Sequence, residues 1–384
     1  MDSPDTILVT GGAGYIGTQV ALELADHGHR VVILDDLSHG RLLPVHERFR
    51  VVVGDVRDRE LLADVLEACR VRAVVHMAAS ISVPESVRDP LGYYDNNVTG
   101  TLRLLEACTA AGVEALVFSS TAAVYGEVRT GPVHEEMPVA PANPYGASKA
   151  MAERTILDAR AAGGPRYGIL RYFNVAGADP RGRCGPTASD AHHLIRVACR
   201  TALGLQPSLA VFGTDWPTRD GTGVRDYIHV ADLAALHRLL LEHLLAGGED
   251  VLVNCGYGRG FSVREVVAAV ERVAGRPLPV VTAPRRPGDV AELVAATDRL
   301  RRRFSWRPRW DDLETIVRHA LAWEARLAGV PAPAGVGFEP APAQGTLSAA
   351  PAPPAPARSS AGGGAWGRGG AAPPDGGPWD SPRW

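Results

Sequence analysis

Thr6-Ile7-Leu8-Val9-Thr10 runs without a break into Gly11-Gly12-Ala13-Gly14-Tyr15-Ile16-Gly17. The first five residues read as a buried strand, the glycines as a tight turn and Gly17–His27 as a helix. A lone G-x-x-G-x-x-G is a weak signal. With a strand before it and a helix after it, the same spacing is the cradle of a dinucleotide. The glycines permit the turn, the close approach of a pyrophosphate and close helix–strand packing. The helix N-terminus turns unpaired N–H groups and a positive dipole toward the phosphates. Gly11, Gly14, Tyr15, Ile16 and Gly17 are therefore expected to line a cofactor.

Working outward, the next strand, Arg30–Asp35, ends in Leu34-Asp35-Asp36. Asp35 stands where a carboxylate accepts hydrogen bonds from the adenosine ribose. Two adjacent carboxylates, Asp35 and Asp36, repel a 2′-phosphate, so the expected cofactor is NAD and not NADP. Asp55 and Val56, after the strand Phe49–Val53, are expected near the adenine. Further strands are read at Ala73–His76, Ala115–Ser119 and Arg166–Tyr172, with helical stretches at Arg59–Cys69 and Val98–Ala111. Apolar strands alternating with helices predict an α/β fold, a doubly wound parallel sheet of Rossmann type covered on both faces. Val251–Asn254 is expected to return to that sheet. Ala191–Leu205, Ser262–Ala274 and Asp311–Leu327 read as helices of a smaller α/β domain. The expected division is residues 1–175 for the cofactor domain, which also receives segments near 225–255, and 176–329 for the smaller one. Residues 330–384, rich in Ala, Pro and Gly without apolar periodicity, read as a disordered tail.

Composition narrows the functional classes. Hydrophobic residues at 46% and charged residues at 22% suit a globular enzyme with a full core. A formal net charge of −3 gives no field that favours nucleic acid or an anionic membrane. No apolar run is long enough to span a bilayer, and the N-terminus has no signal-peptide core, so a cytoplasmic location is expected. The cysteines Cys69, Cys108, Cys184, Cys199 and Cys255 are scattered and make no C-x-x-C pair, and His192 and His193 are adjacent, so no metal site is expected.

The chemistry is carried by two further segments. Ser119-Ser120-Thr121-Ala122-Ala123 closes a strand, and Asn143-Pro144-Tyr145-Gly146-Ala147-Ser148-Lys149 opens a helix. Tyr145 and Lys149, four apart, share a helix face. A tyrosine with pKa near ~10 is a poor base at neutral pH. An ammonium beside it, with a cationic nicotinamide ring, favours the phenolate. Thr121 is placed to hydrogen-bond the same substrate hydroxyl.

With these blocks in order, the chain resembles an extended short-chain dehydrogenase/reductase, and within that superfamily the UDP-glucose 4-epimerases. The resemblance covers roughly residues 5–325. It rests also on His76-Met77-Ala78-Ala79, Tyr93-Tyr94-Asp95-Asn96-Asn97-Val98, Leu170-Arg171-Tyr172-Phe173-Asn174, Asp220-Gly221-Thr222-Gly223-Val224-Arg225-Asp226-Tyr227 and Arg285-Arg286-Pro287-Gly288-Asp289. It implies a sugar-nucleotide role for the smaller domain and a UDP-sugar substrate. Ala78, Asn96 and Tyr172 are then expected at the cofactor, and Asn174, His193, Arg225 and Arg286 at the nucleotide diphosphate or the sugar near it. Asp289 is expected at the nucleotide ribose, and Leu293 at the wall that sets pocket width. A homodimer is implied as well. Ile81 stands where some of these epimerases carry a lysine.

The implied reaction is NAD-dependent 4-epimerisation of a UDP-hexose through a 4-keto intermediate. A 4,6-dehydratase needs an acid pair beside the catalytic Thr, and Ala122 and Ala123 transfer no proton. Epimerases of UDP-glucuronate or UDP-N-acetylglucosamine, and other nucleotide-sugar oxidoreductases, remain alternatives. A non-enzymatic NAD-binding scaffold could keep the glycine turn and lose Thr121, Tyr145 or Lys149, but all three are present.

Overall fold

The strands of the fold, in chain order, are β1 (Thr6–Thr10), β2 (Arg30–Asp35), β3 (Arg50–Val53), β4 (Val71–His76), β5 (Ala115–Thr121), β6 (Arg166–Tyr172), β7 (Asn174–Ala176), β8 (Leu209–Phe212), β9 (Val224–His229), β10 (Val251–Cys255), β11 (Gly260–Ser262), β12 (Val280–Ala283) and β13 (Glu292–Leu293). The helices are α1 (Tyr15–Asp26), α2 (Arg59–Ala68), α3 (Val83–Arg88), α4 (Pro90–Tyr94), α5 (Gly100–Ala110), α6 (Pro144–Ala161), α7 (Leu194–Ala202), α8 (Val230–Leu245), α9 (Val263–Ala274), α10 (Asp298–Arg303) and α11 (Leu313–Ala328). This is a computed structural model, and it describes residues 5–128, 131–187, 193–286 and 289–340.

Seven parallel strands form one sheet in the order β10-β6-β5-β4-β1-β2-β3. Alternation along each strand divides the core between its two faces. Ile7, Val9, Ile33 and Val75 pack with Val20 and Leu24 of α1 and with Leu236 and Leu240 of α8. Leu8, Val32, Val74 and Leu116 pack on the other face with Leu62 of α2, Leu104 of α5 and Ile156 of α6. Both faces are dry, which is why these strands read as continuous apolar runs. The chain order reverses between β1 and β4, and a crevice opens at such a switch point, outside the carboxyl ends of the strands. The glycine turn after β1 lies there. So do Asp35 at the end of β2, Ala78 just past β4, and Thr121 and Tyr172 closing β5 and β6.

The remaining strands are local. β9 pairs with β7, β11 and β13, and β8 pairs with β12. α8 leaves β9 and returns to the large sheet, followed by β10. The helix at 230–245 is not among the elements expected from sequence, although Leu233, Leu236, Leu240, Leu241 and Leu244 recur at helical spacing and form its buried face. Residues through Pro340 make one compact unit.

Residues 331–340, expected in the tail, lie on the body instead. The Glu339 N–H donates to the Pro180 carbonyl at 2.7 Å. The Phe338 ring sits 4.4 Å from the Arg326 guanidinium, and Val336 packs on the main core. Two apolar anchors among prolines and glycines suffice, and they leave no periodicity to read. The rest of the expected tail, 341–384, lies outside the described residues. A chain ending at Val330 is therefore expected to be less stable than one ending at Pro340, by about 1–2 kcal/mol from the lost burial and hydrogen bond. Thermal unfolding of the two truncations checks this; equal midpoints would show that the strap adds nothing.

Candidate active site

The glycine turn is shaped by what surrounds it. Gly11 has φ of 69°, and a Cβ there would stand 2.6 Å from the Ala78 nitrogen. A Cβ on Gly17 would stand 2.1 Å from the Gly11 carbonyl oxygen. Gly14 is the N-cap of α1 and makes no side-chain cap bond. The N–H groups of Tyr15 and Ile16, in the first turn, thus have no intrahelical partner. A turn that packs this closely on its neighbours leaves only bare backbone N–H groups at the start of α1, and these fit the approach of a pyrophosphate. The Tyr15 side chain goes elsewhere: its hydroxyl donates to the Gly177 carbonyl at 2.7 Å, tying α1 to the segment after β7.

Asp35 is buried at the end of β2. Its oxygens accept from the Ala13 and Leu37 N–H groups, both at 2.9 Å, so it fixes the turn to the loop after β2. Burial pushes its pKa up against those bonds. Asp36 is exposed and accepts from the Ser38 N–H at 2.9 Å. Asp55 is held below the usual carboxylate range by Arg57, whose Nε donates to it at 3.0 Å, and Val56 is buried beside it. Ala78 is half-buried against Gly11, and Ile81 is exposed two residues past Ala79.

Between α4 and α5 the chain makes one wide π turn, Asp95–Thr99. Such turns re-aim side chains, often at functional sites. Here Asn96 donates to the Ser80 hydroxyl at 2.9 Å. Asn97 accepts from the Ser80 N–H at 2.8 Å and donates to the Ser148 hydroxyl at 2.9 Å. Ser148 in turn donates to the Tyr145 carbonyl at 2.8 Å. The loop after β4 is thereby fastened to the helix that carries the tyrosine.

α6 starts where Asn143 accepts from the Gly146 N–H at 2.9 Å, with Pro144 as its first residue. A Cβ on Gly146 would lie 2.5 Å from the Ala123 carbonyl oxygen, so glycine lets the helix begin against the turn after β5. Thr121 closes β5. Its Oγ1 accepts from the Ala123 N–H at 3.1 Å, which leaves its own hydrogen free to donate. Burial raises the Tyr145 pKa, and Thr121 opposes this through a hydrogen bond to the phenol. The Lys149 Nζ donates to the Ser119 carbonyl at 3.0 Å, two residues before Thr121, and stands 4.8 Å from the Phe118 ring. Burial brings Lys149 down to about 8, with Glu153 acting in the opposite sense. Tyr172, half-buried, is paired in register with Thr121, and its own pKa is raised by burial.

Asn174 begins β7 and His193 stands at the N-cap of α7. Both line one small cavity together with Tyr15 and Tyr227. Arg225 on β9 donates to the Val224 carbonyl at 2.9 Å, and its Nη2 is 3.9 Å from the Asp289 carboxylate. Leu293 pairs in register with Arg225 and packs against the cluster of Ala122, Val124 and Phe173. Leu293 therefore links the catalytic turn to Arg225. Arg286 is exposed and lies 3.6 Å from the Phe212 ring centroid.

Sequence reasoning missed the buried charges beneath this floor. Glu153 accepts from the Arg171 Nε at 2.9 Å and from the Ser120 hydroxyl. Arg171 lies 4.8 Å from the Tyr125 ring, whose hydroxyl donates to Asn254 at 2.7 Å. One available signal was spacing, since Glu153 is four residues past Lys149. Another was counting: Lys149 is the only lysine in the chain.

Comparison with known proteins gives the family. The family described as NAD dependent epimerase/dehydratase matches residues 7–256. A UDP-glucose 4-epimerase of Azospirillum brasilense is 55% identical over 321 residues, which is 84% of this chain and 92% of the relative. The crystal structure of UDP-glucose 4-epimerase from Bifidobacterium longum in complex with NAD+ and UDP superposes with a TM-score of 0.78 at 36% identity, covering 84% of this chain and 98% of that one. The UDP-Glc/GlcNAc 4-epimerase of Campylobacter jejuni superposes with a TM-score of 0.74 at 42% identity, covering 84% and 99%. The chain belongs to the NAD dependent epimerase/dehydratase family and groups within it with the UDP-glucose 4-epimerases.

Proposed function

We propose that this protein inverts C4 of a UDP-hexose, interconverting UDP-glucose and UDP-galactose, with NAD recycled in place. What supports the reading is Thr121 closing β5 beside Tyr145, with Lys149 one helical turn on and bonded to Ser119 of the same strand. No acid stands at Ala122 or Ala123, so the keto sugar has no local partner for dehydration. Gly11, Gly14, Gly17 and the first turn of α1 would hold the cofactor pyrophosphate, with Asp35 toward the ribose. Bound NAD supplies a reversible acceptor for the hydride on the sugar C4. Tyr145 accepts the 4′-hydroxyl proton at its phenol oxygen and returns it once the 4-keto sugar has turned over. Lys149 holds positive charge under that oxygen, and Thr121 donates to the same sugar oxygen and fixes its distance. Arg225, Arg286, Asn174 and His193 anchor the diphosphate while the sugar turns, and Asp289 holds the nucleotide ribose.

Incubation with UDP-galactose and a panel of other nucleotide sugars, without added NAD, tests this by NMR of the products. UDP-glucose is expected; a demand for stoichiometric external NAD would overturn the recycling.

Leu293 favours a second substrate at a lower rate. It is smaller than tyrosine and larger than serine, on a wall packed with Phe173 and Val124. Preference for the plain hexose with weak turnover of the N-acetyl sugar is expected. Leu293→Tyr should suppress the N-acetyl activity, and Leu293→Ser should raise it relative to hexose. Pocket changes of this size are worth ~1–3 kcal/mol, so the ratio of kcat/KM should shift by about 10- to 200-fold at most. An unmoved ratio in both variants would remove Leu293 from the pocket wall.

A second copy of the chain is the expected partner. Leu91, Leu102 and Met151 support this, since they lie exposed on α4, α5 and α6, helices that pack together. Unpaired cysteines, four of the five buried, support a reducing cytoplasmic setting.

A further inference from the structure

Among the 40 lysines and arginines of the chain, every one except Lys149 is arginine. A guanidinium serves wherever a fixed positive charge is needed, and it does not deprotonate in proteins. The one ammonium lies deep. Lys149 is 3% exposed, and so is Glu153, one turn further along the same helix. Water therefore screens neither of them, and a neighbouring charge is felt strongly.

The Glu153 carboxylate is engaged by Arg171 and Ser120. Oε1 accepts from the Arg171 Nε at 2.9 Å and from the Ser120 hydroxyl, and Oε2 accepts from Arg171 Nη2 at 2.5 Å. Arg171 pairs with no other carboxylate among the described residues, and its buried Nη1 has no hydrogen-bond partner among them. One buried carboxylate, paired with an arginine that is always charged, thus lies one helical turn from the ammonium, and the two side chains grip consecutive residues of β5, Lys149 the Ser119 carbonyl and Glu153 the Ser120 hydroxyl.

We propose that Glu153 is a positioning residue of the reaction, a counter-ion shared between Lys149 and Arg171 that keeps the ammonium charged beneath Tyr145 and holds the Ser120–Thr121 end of β5. Its catalytic meaning rests on the proposed epimerisation; the state of Lys149 does not.

Of the other groups facing Lys149, only Tyr145 gains a charge in the proposed reaction, as the phenolate, and neither Glu153→Gln nor Arg171→Gln removes it. His76 on β4 lies between Thr10 and Thr101 and stays neutral, its pKa brought down to about 3 by burial and by Lys149. Tyr172 on β6 and Tyr145 on α6 are both raised by burial. β5 contributes the Ser119 carbonyl and the Phe118 ring. Glu153 and, through it, Arg171 are left to set the charge. Deprotonating Lys149 removes the cation that favours the phenolate, so turnover is lost as pH rises through the Lys149 pKa. Removing the Glu153 charge lowers that pKa, and removing the competing Arg171 raises it.

The single lysine makes the test direct. Holoenzyme carrying [ε-13C]lysine has one labelled side chain, and its NMR shift is followed between about pH 6 and 10, the range that brackets a lowered lysine. The pH profile of kcat with UDP-galactose is measured alongside. Glu153→Gln, which keeps the shape and can still bond Ser120, should lower the midpoint by about one pH unit or more, the usual size for loss of an adjacent opposite charge. Arg171→Gln should raise it, and the alkaline limb of kcat should follow in both. Opposite shifts are not what general loosening of the fold gives. Unchanged midpoints, or both moving the same way, would overturn the proposal. If Arg171→Gln fails to fold, Glu153→Gln decides alone, and Glu153→Asp should restore most of the midpoint. Midpoints that move in a protein inactive on UDP-galactose would uphold the charge sharing and sink the reaction instead.

Discussion

Tyr145→Phe is expected to lose at least about a hundredfold in kcat while keeping fold, cofactor and most substrate affinity, the usual scale of general acid–base catalysis. The substitution removes one oxygen. In the proposed mechanism that oxygen is the group on which Thr121 and Lys149 act, so its loss leaves both side chains with nothing to act on. Packing barely changes, because the ring remains and α6 keeps its start at Asn143 and Pro144. Steady-state kinetics, thermal unfolding and the dinucleotide content of the purified variant separate these effects. Near-wild-type turnover would remove Tyr145 from the chemistry.

Gly17→Ala should strip the protein of its cofactor. The added Cβ would stand 2.1 Å from the Gly11 carbonyl oxygen, a backbone atom that no rotamer change can move aside. α1 must then shift away from β1, which displaces the Tyr15 and Ile16 N–H groups from the cradle. Overpacking of this kind costs about 1–3 kcal/mol in stability, and the displaced donors should lower the bound dinucleotide more than about tenfold, the effect of about 1.4 kcal/mol. Gly14→Ala separates the two causes: its Cβ meets the same oxygen at 3.2 Å, a contact that a small adjustment relieves, so it should cost little stability even where it hinders the approach of the pyrophosphate. Dinucleotide released on acid denaturation, per protein chain, reads the difference; full retention in Gly17→Ala would mean that the turn does not hold the pyrophosphate.

How much of the molecule is legible in its sequence follows from how local each signal is. β1, β2 and β6 agree residue for residue with the sequence pattern, because an apolar run bounded by Gly or Asp needs only its own neighbours to be recognised. Thr121, Tyr145 and Lys149 are legible because helix spacing and a strand end place them. α8 is equally legible, with Leu233, Leu236, Leu240 and Leu244 spaced as one buried face, although it is not among the helices expected from sequence. The π turn at Asp95–Thr99 has no sequence period at all; it is fixed by Asn97 reaching both Ser80 and Ser148. The Glu153–Arg171 pair joins residues on α6 and β6, and a buried ion pair of that kind exists only once the helix is docked on the sheet. Val336 and Phe338 are hidden in a segment whose composition resembles the tail that follows.

The central claim is that one hydride leaves the sugar C4 and returns to the same carbon from a cofactor that stays bound. UDP-galactose deuterated at C4, incubated with the purified protein in ordinary water without added NAD, tests it most directly by NMR or mass spectrometry of the product. The expected result is UDP-glucose with the deuterium still at C4. Washout of the label into water would mean that C4 is inverted by proton abstraction, and would contradict the roles of the glycine cradle as a dinucleotide site and of Tyr145 as the base for the 4′-hydroxyl.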